Sequence, residues 1–508
     1  MRKIKRVIGY TLGIAMVLIA AIFLLNLHLT KRLERYLRKE LIHRTAEATD
    51  GFYRLSFDNL SISFFKGELT LEGIKLCPDS AVFRDWERKD SLPSVYVTAE
   101  VGMIDFKGLN LTWRWSYKQL HFDSFEIRNP DIQVFNPYYS TRAEVKERKE
   151  AEIKTLYEVV SPYINVLTVR ILNLENASVS YSVENPVSPI VYALNDVSFH
   201  AYGFRLDENS SESGKLLYCD NFDFITKRSQ TLLANNDFRL QTDRILLSTE
   251  DSIISISNIT LTPQGELWGE QKKRPDSYLN ALIRAIEVKG IQFRRENALN
   301  YLTARSLDII SSDIQAFNLA GESLPSAKKT EKKSLNEAEA DSLVRSLSLY
   351  ELISPVLHTV SIGTVGIGQA KLQYSFAVKD KIEVYKLANF DFQANDFRID
   401  SVSETQRGFW YSRGFSFEAT GIEGLMTARN HRFTVKRMTL DTESGDFNLE
   451  RIRLYPLSVC GQNDYMAGSI DTVGIRGLLY DKGISARLLK IDRPNLRYGW
   501  FLPSIRKM

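Results

Sequence analysis

From residue 51 onward the chain alternates apolar and polar residues with a period of two. Leu60-Ser-Ile62-Ser-Phe64 reaches a turn at Lys66-Gly67, returns as Leu69-Thr-Leu71 and continues to Ile74-Lys-Leu76. Such alternation sends every second side chain to one face of a sheet, so that one face meets an apolar environment and the other meets water. The same pattern marks 95–103, 109–115, 197–199, 245–247, 254–256, 415–417 and 447–449, and predicts a mainly β protein. Before residue 51 the period is helical. Leu33, Tyr36, Leu37 and Leu41 recur at i, i+3, i+4 and i+8 within 31–45, an amphipathic helix with a basic opposite face. It can lie on lipid headgroups or cap the first sheet. Helices are also predicted over 142–160 and 334–353, each stopped by a Ser-Pro pair, and over 276–286, just before a strand at 288–293. The charged, small-residue stretch 321–333 is a linker.

One short β phrase occurs five times. It reads Ile127-Arg-Asn-Pro130-Asp-Ile132-Gln-Val134, then Leu174-Glu-Asn-Ala177-Ser-Val179-Ser-Tyr181, Ile309-Ile-Ser-Ser312-Asp-Ile314-Gln-Ala316, Ile367-Gly-Gln-Ala370-Lys-Leu372-Gln-Tyr374 and Ile491-Asp-Arg-Pro494-Asn-Leu496-Arg-Tyr498. A longer match carries Tyr192 onto Tyr385 and Asp207 onto Asp400, both at an offset of 193 (385 − 192). The offset holds from Ser161-Pro162 to Pro263, so about a hundred residues are duplicated. The predicted organisation is a tail and anchor (1–28), a juxtamembrane helix (29–50), a first β unit (51–140), a repeat of helix plus β (141–317), a linker and helix start (318–348) and a second repeat (349–508).

Residues 7–27 carry no charge and are long enough, at ~1.5 Å per residue, to cross a ~30 Å hydrocarbon core. The run exceeds the usual signal-peptide core and lacks a small-residue cleavage site, so it reads as a retained anchor. The formal net charge of +4 is unevenly placed. Residues 1–44 hold ten Lys/Arg against Glu34 and Glu40, leaving 56 basic and 60 acidic groups elsewhere. The body therefore offers no basic face, and nucleic acid is excluded as a partner. Arg2, Lys3, Lys5 and Arg6 at the N-terminal edge favour a cytoplasmic N-terminus with the body outside.

The residues that carry chemistry are sparse. Cys77, Cys219 and Cys460 are too scattered for a disulfide framework and read as small buried residues. The six histidines have no metal-ligand spacing, and His200 and His431 are replaced by Gln393 and Phe238 in the other repeat. Gly363-Thr-Val-Gly366-Ile-Gly368 lies inside alternating β sequence and does not open a helix, so it is no dinucleotide fingerprint. Arg205/Asp207 is kept as Arg398/Asp400, and reads as a surface pair worth ~0–1 kcal/mol. The chain is expected to be no enzyme and to use no metal or other cofactor. What repeats is an apolar surface, which points to binding.

The opening LSFDNLSISFFKGELTLEGIKL (55–76), after a membrane span and a basic helix, resembles that of AsmA-like proteins. The phrase ending in Pro130-Asp-Ile132 or Pro494-Asn-Leu496 does so too. The resemblance implies an N-terminal transmembrane helix in the cytoplasmic membrane. It also implies a periplasmic body, built as an elongated, repetitive antiparallel β-sheet curled into a groove or open barrel with a few short amphipathic helices. Larger relatives belong to the bridge-like lipid transfer proteins, whose grooves accommodate acyl chains. Expected partners are thus the membrane and a phospholipid or other acylated molecule, in cell-envelope maintenance. Candidate groove residues are Leu60, Ile62, Phe64, Leu69, Leu71, Ile132, Val134, Val179, Tyr181, Leu372, Tyr374, Leu496 and Tyr498. A sheet packed on a second sheet satisfies the same alternation. So does a scaffold or assembly factor for outer-membrane proteins, acting through sheet edges.

Overall fold

A computed structural model describes residues 31–500, with 137–156, 264–276 and 319–356 the longest stretches outside it. The expected anchor at 7–27 and helices at 142–160 and 334–353 lie wholly or almost wholly outside the described residues. Among the described residues no helix is long and apolar enough to cross a membrane. The fold is mainly β, one large mixed sheet plus a separate two-stranded ribbon. The chain divides into two compact units, Met1–Ser229 and Gln230–Met508.

The first unit opens with helix α1 (31–48). Strands β1 (Tyr53–Ser56) and β2 (Asn59–Ser63) both pair with β3 (Glu68–Pro78). Helix α2 (Ser80–Arg88) follows, its amides at Ala81 and Val82 donating to the Asp79 carboxylate. Next come β4 (Tyr96–Lys107), β5 (Asn110–Arg114), β6 (Tyr117–Asn136), β7 (Val166–Val183), β8 (Ile190–Leu206) and β9 (Asn221–Leu233), whose last residues cross the unit boundary. β3–β4, β4–β6 and β7–β8 are antiparallel, but β6 and β7 run parallel. The only hydrophobic core cluster of buried residues among those described is Phe57, Leu60 and Ile74, under Leu37 of α1.

The second unit holds β10 (Phe238–Thr242), β11 (Arg244–Ser248), β12 (Ile253–Pro263), β13 (Ser277–Lys289), β14 (Gln292–Glu296), β15 (Leu299–Asn318), β16 (Thr359–Val378) and β17 (Lys381–Ile399). After helix α3 (Ser401–Gln406) come β18 (Gly414–Met426), β19 (His431–Asp441), β20 (Asp446–Pro456), β21 (Asp464–Arg476), the ribbon β22 (Leu479–Asp481) and β23 (Gly483–Ser485), then β24 (Leu488–Asp492) and β25 (Asn495–Trp500). Neighbours from β15 to β21 are antiparallel except β15–β16, which is parallel. The sheet is therefore mixed, correcting the antiparallel expectation at two seams.

Each phrase has a backbone meaning. Asn129, Asn176, Ser311, Gln369 and Arg493, the residues just before its small or proline position, all have left-handed φ between 48° and 56°. On β16 the step from Ile367 to Ala370 faces the shorter step from Phe392 to Phe390, and from Ala370 to Leu372 the imbalance reverses. The ladder thus carries two opposed bulges, and β7–β8 shows the same pair of shifts. A bulge restarts the alternation, so apolar residues three apart share a face. At each seam two phrases lie side by side in register, Ile127 opposite Leu174 and Ile309 opposite Ile367. Asn176 donates to Asn129 Oδ1 at 3.4 Å and Ser311 to Gln369 Oε1 at 3.1 Å, tying the bulges together.

The structure adds a third copy of one hairpin group. β3, β12 and β20 each have eleven residues, end in proline and carry a left-handed sixth residue, Gly73, Asn258 or Arg451. The turn before each places Gly67, Ser252 or Gly445, also left-handed, where its carbonyl accepts from the amide of Leu109, Ile291 or Leu478 at 3.0, 3.1 and 2.9 Å. Of the segment 276–286, expected as a helix, the described residues 277–286 are instead the body of β13. Leu279, Leu282, Ile283 and Ile286 have helical spacing, but a phase restart produces the same interval. Leu279, Ile283 and Ile286 face the apolar side of the ladder, while Leu282 stands exposed on the other.

Candidate functional site

Cross-strand partners share a face, so a sheet's surface can be read along its registers. In the first unit one row runs Leu60, Leu71, Ile104, Ile127, Leu174, Phe199. A second, beyond the bulges, runs Leu76, Ala99, Ile132, Val179, Leu194. In the second unit a row runs Ile256, Ile286, Ile309, Ile367, Phe392, Phe417, Leu440, Phe447, Ile475, Leu489. Its companion beyond the bulges runs Leu261, Ala281, Ile314, Leu372, Leu387, Ile422, Val435, Ile452, Ile470. Every member of all four rows is apolar. The crease between rows takes small residues: Pro130, Ala177, Ser312 and Ala370 are buried there, Ala177 completely. Larger side chains stand on either side of it.

Of the candidates, Leu60, Leu71, Ile132, Val179 and Leu372 fall in these rows. Ile132, Val134, Val179, Tyr181 and Leu372 are half-buried, and Tyr374, Leu496 and Tyr498 are exposed. Leu60, at 4% exposure, is buried in the core cluster, with Leu37 of α1, Leu69 and Leu71 packed against it. Ile62 is half-buried, and Phe64 lies outside the described residues. The sequence reading missed the crease and the β13 members of the face. The signal was present in the three-residue step between Ile127 and Pro130, where strict alternation would have allowed two.

Helix α1 closes the β2 edge through polar groups. Ile62 N donates to Glu34 Oε1 at 3.1 Å, and Arg38 donates to the carbonyls of Phe57 and Asp58 at 2.9 and 3.0 Å. The Arg38 guanidinium also lies 4.5 Å from the Phe57 ring centre. Tyr36 and Leu41, expected on the apolar stripe, are exposed. α1 thus caps the first sheet, one of the two roles open to it.

The opposite face is polar. Across it Asp308, Gly366, Gln393, Ser416, Asp441 and Asp446 form one register row. A trough of about 790 Å³ lies there, and its carboxylates and amides make it unsuited to acyl chains. Among the described residues no group of three His, Cys, Asp or Glu is placed to hold a metal. His121, His200 and His431 are engaged with Thr168, Asn173 and the Arg429 carbonyl at 2.8, 3.1 and 2.6 Å.

The duplicated Arg/Asp pair ends a strand. Arg205 and Arg398 each place Nε 2.6 Å from Oδ2 of Asp207 and Asp400. Burial pushes the Asp400 carboxyl up, but the Ser403 amide and hydroxyl and the Arg398 guanidinium outweigh it and hold the pKa at about 2. Cys219 is buried, and desolvation first, then Asp220, raises its thiol to about 11. Cys77 is exposed, contrary to expectation, and Cys460 lies outside the described residues. No protein-family model matches the chain, and no curated protein matches it.

Proposed function

We propose that this is a non-catalytic, membrane-anchored AsmA-like protein of the cell envelope, whose apolar sheet face binds the acyl chains of a phospholipid or another acylated molecule. In this reading residues 7–27 anchor it in the cytoplasmic membrane and the body is periplasmic. The observation that carries the proposal is the unbroken apolar register of the second unit, from Ile256 to Leu489, on side chains that are mostly half-buried. A packed sandwich buries such a face under a second layer, at about 25 cal/mol per Å² of apolar area. Here the described core cluster is confined to the α1 end of the first unit. Acyl chains would supply the missing cover, with the polar row of Asp308 to Asp446 left in water.

The test is lipid extraction and mass spectrometry of the detergent-purified chain, with photo-crosslinking by an acyl-chain diazirine. Crosslinks on Leu372, Ile422 and Ile452 with none on Gln393 or Ser416 are expected. Equal labelling of both faces, or a preparation carrying no lipid, refutes the reading.

A further inference from the structure

Twice in this chain a strand bearing the phrase receives a second phrase strand along its flank. β6 takes β7, and β15 takes β16, both parallel and in register. β24 and β25 carry the fifth phrase, and among the described residues they pair with β21 alone. Their apolar side chains stand open, Leu489 at 59% and Leu496 at 65%, where the corresponding Phe125 and Ile132 of β6 are half-buried.

We propose that the outer flank of β24–β25 is an acceptor edge for a strand of a partner protein, added parallel and in register with Ile491, Pro494 and Leu496. The inference stands on the repeat geometry and not on the lipid reading. The two seams specify the incoming strand. It carries an apolar residue, a small residue three positions on, and apolar residues two and four beyond that, with a left-handed residue before the small one. Lys490, Arg493 and Arg497 line the polar side of the edge together with Asp492, which takes the place of Arg128 on β6 and is ion-paired to Lys490 at 3.1 Å. Acidic residues of the partner therefore fit opposite Lys490 and Arg497, and a neutral or basic one opposite Asp492.

A second copy of this chain cannot supply the strand. Its first four phrases already have a strand on each flank. Only its own fifth phrase remains, and the two-fold axis that would keep both apolar faces on one side makes the strands antiparallel. The β2 edge is closed by Glu34 and Arg38 of α1. Strand addition at an open edge draws affinity from main-chain hydrogen bonds and specificity from alternate side chains, which is what the phrase offers.

The probe is a synthetic peptide of residues 166–183, the strand that fills this place on β6, carrying Glu175→Gln because that position falls opposite Asp492, with benzophenone replacing Ile171, added to the full chain in detergent. Parallel docking in register sets the benzophenone beside Leu488, so crosslinks are expected there. The double variant Leu489→Lys/Leu496→Lys should weaken binding at least about tenfold by charging the edge. Its exposed positions leave thermal unfolding of the chain unchanged. A peptide lacking Asn176, which loses the phase restart, should also bind about tenfold more weakly. Four results overturn the proposal: no binding at about 1 mM peptide, a limit near −4 kcal/mol; crosslinks at the 498–500 end; undiminished binding by the double variant; or a homodimer that the double variant dissolves.

Discussion

The bulge at Gln369 can be tested by separating its backbone from its side chain. Gln369 has φ 56°, its amide donates to Asp391 Oδ1 at 2.9 Å, and its side chain accepts from Ser311. The left-handed region costs an ordinary L-residue ~1–2 kcal/mol. Gln369→Gly removes that cost, but loses the exposed side-chain hydrogen bond and raises unfolded-chain entropy by ~0.5–1 kcal/mol, a net effect near zero. Gln369→Val loses the same bond, keeps the left-handed cost and adds the clash of a β-branched side chain, so it should fall ~2 kcal/mol below the glycine variant. The Asp391 bond to the main chain survives in both. A chain this large is not two-state, so the assay is hydrogen exchange read locally over β16 and β17. A gap of ~2 kcal/mol is about 30-fold in protection. Equal protection in the two variants, or a glycine variant less protected than valine, would refute the view that a left-handed bulge sets the phase of the sheet.

Two further outcomes follow from the same geometry. Ser312 is buried in the crease with its hydroxyl unpartnered, where the equivalent positions hold Ala177 and Ala370. Ser312→Ala should therefore be neutral or stabilise β15 by up to ~1 kcal/mol, read by local exchange, and a loss above that size would mean the hydroxyl has a structural role. Asp400 accepts from the amides of Val402 and Ser403 at 3.0 and 2.7 Å, so Asp400→Ala should cost ~1–2 kcal/mol at the β17–α3 corner. Its folded pKa of about 2 lies below the ordinary aspartate value of 3.8, so its stabilisation is fully present above pH 4 and is lost as pH falls through about 2. A corner that opens instead between pH 5 and 7 would assign the transition to another group.

The mainly β class, the hairpin at Gly67 and the 193-residue duplication were all legible in the residues, because alternation and turn glycines leave direct traces. The duplicated strands agree closely: β9 and β12 become β18 and β20 with the same end points after the shift. The third copy was not legible, since it keeps backbone conformation and strand length while its side chains drift. Gly73, Asn258 and Arg451 share a φ and nothing else. Pro78, Pro263 and Pro456 were the surviving signal. The parallel seams were hidden for another reason, as direction depends on connections at 137–165 and 319–358 whose sequence states no handedness. Of the candidate face, the residues after each bulge were found, while β13 was lost to a spacing that imitates a helix.

The two seams also make the chain divisible. β7 begins at Val166 and β16 at Thr359, one period of 193 residues apart, and each is received by a phrase strand of the same register. Excising 166–358 would bring β16 against β6, with Ile367 where Leu174 had been and Gln369 beside Asn129. The side on which every apolar residue falls would be kept. Length in such a protein is a counted quantity, adjustable by whole periods.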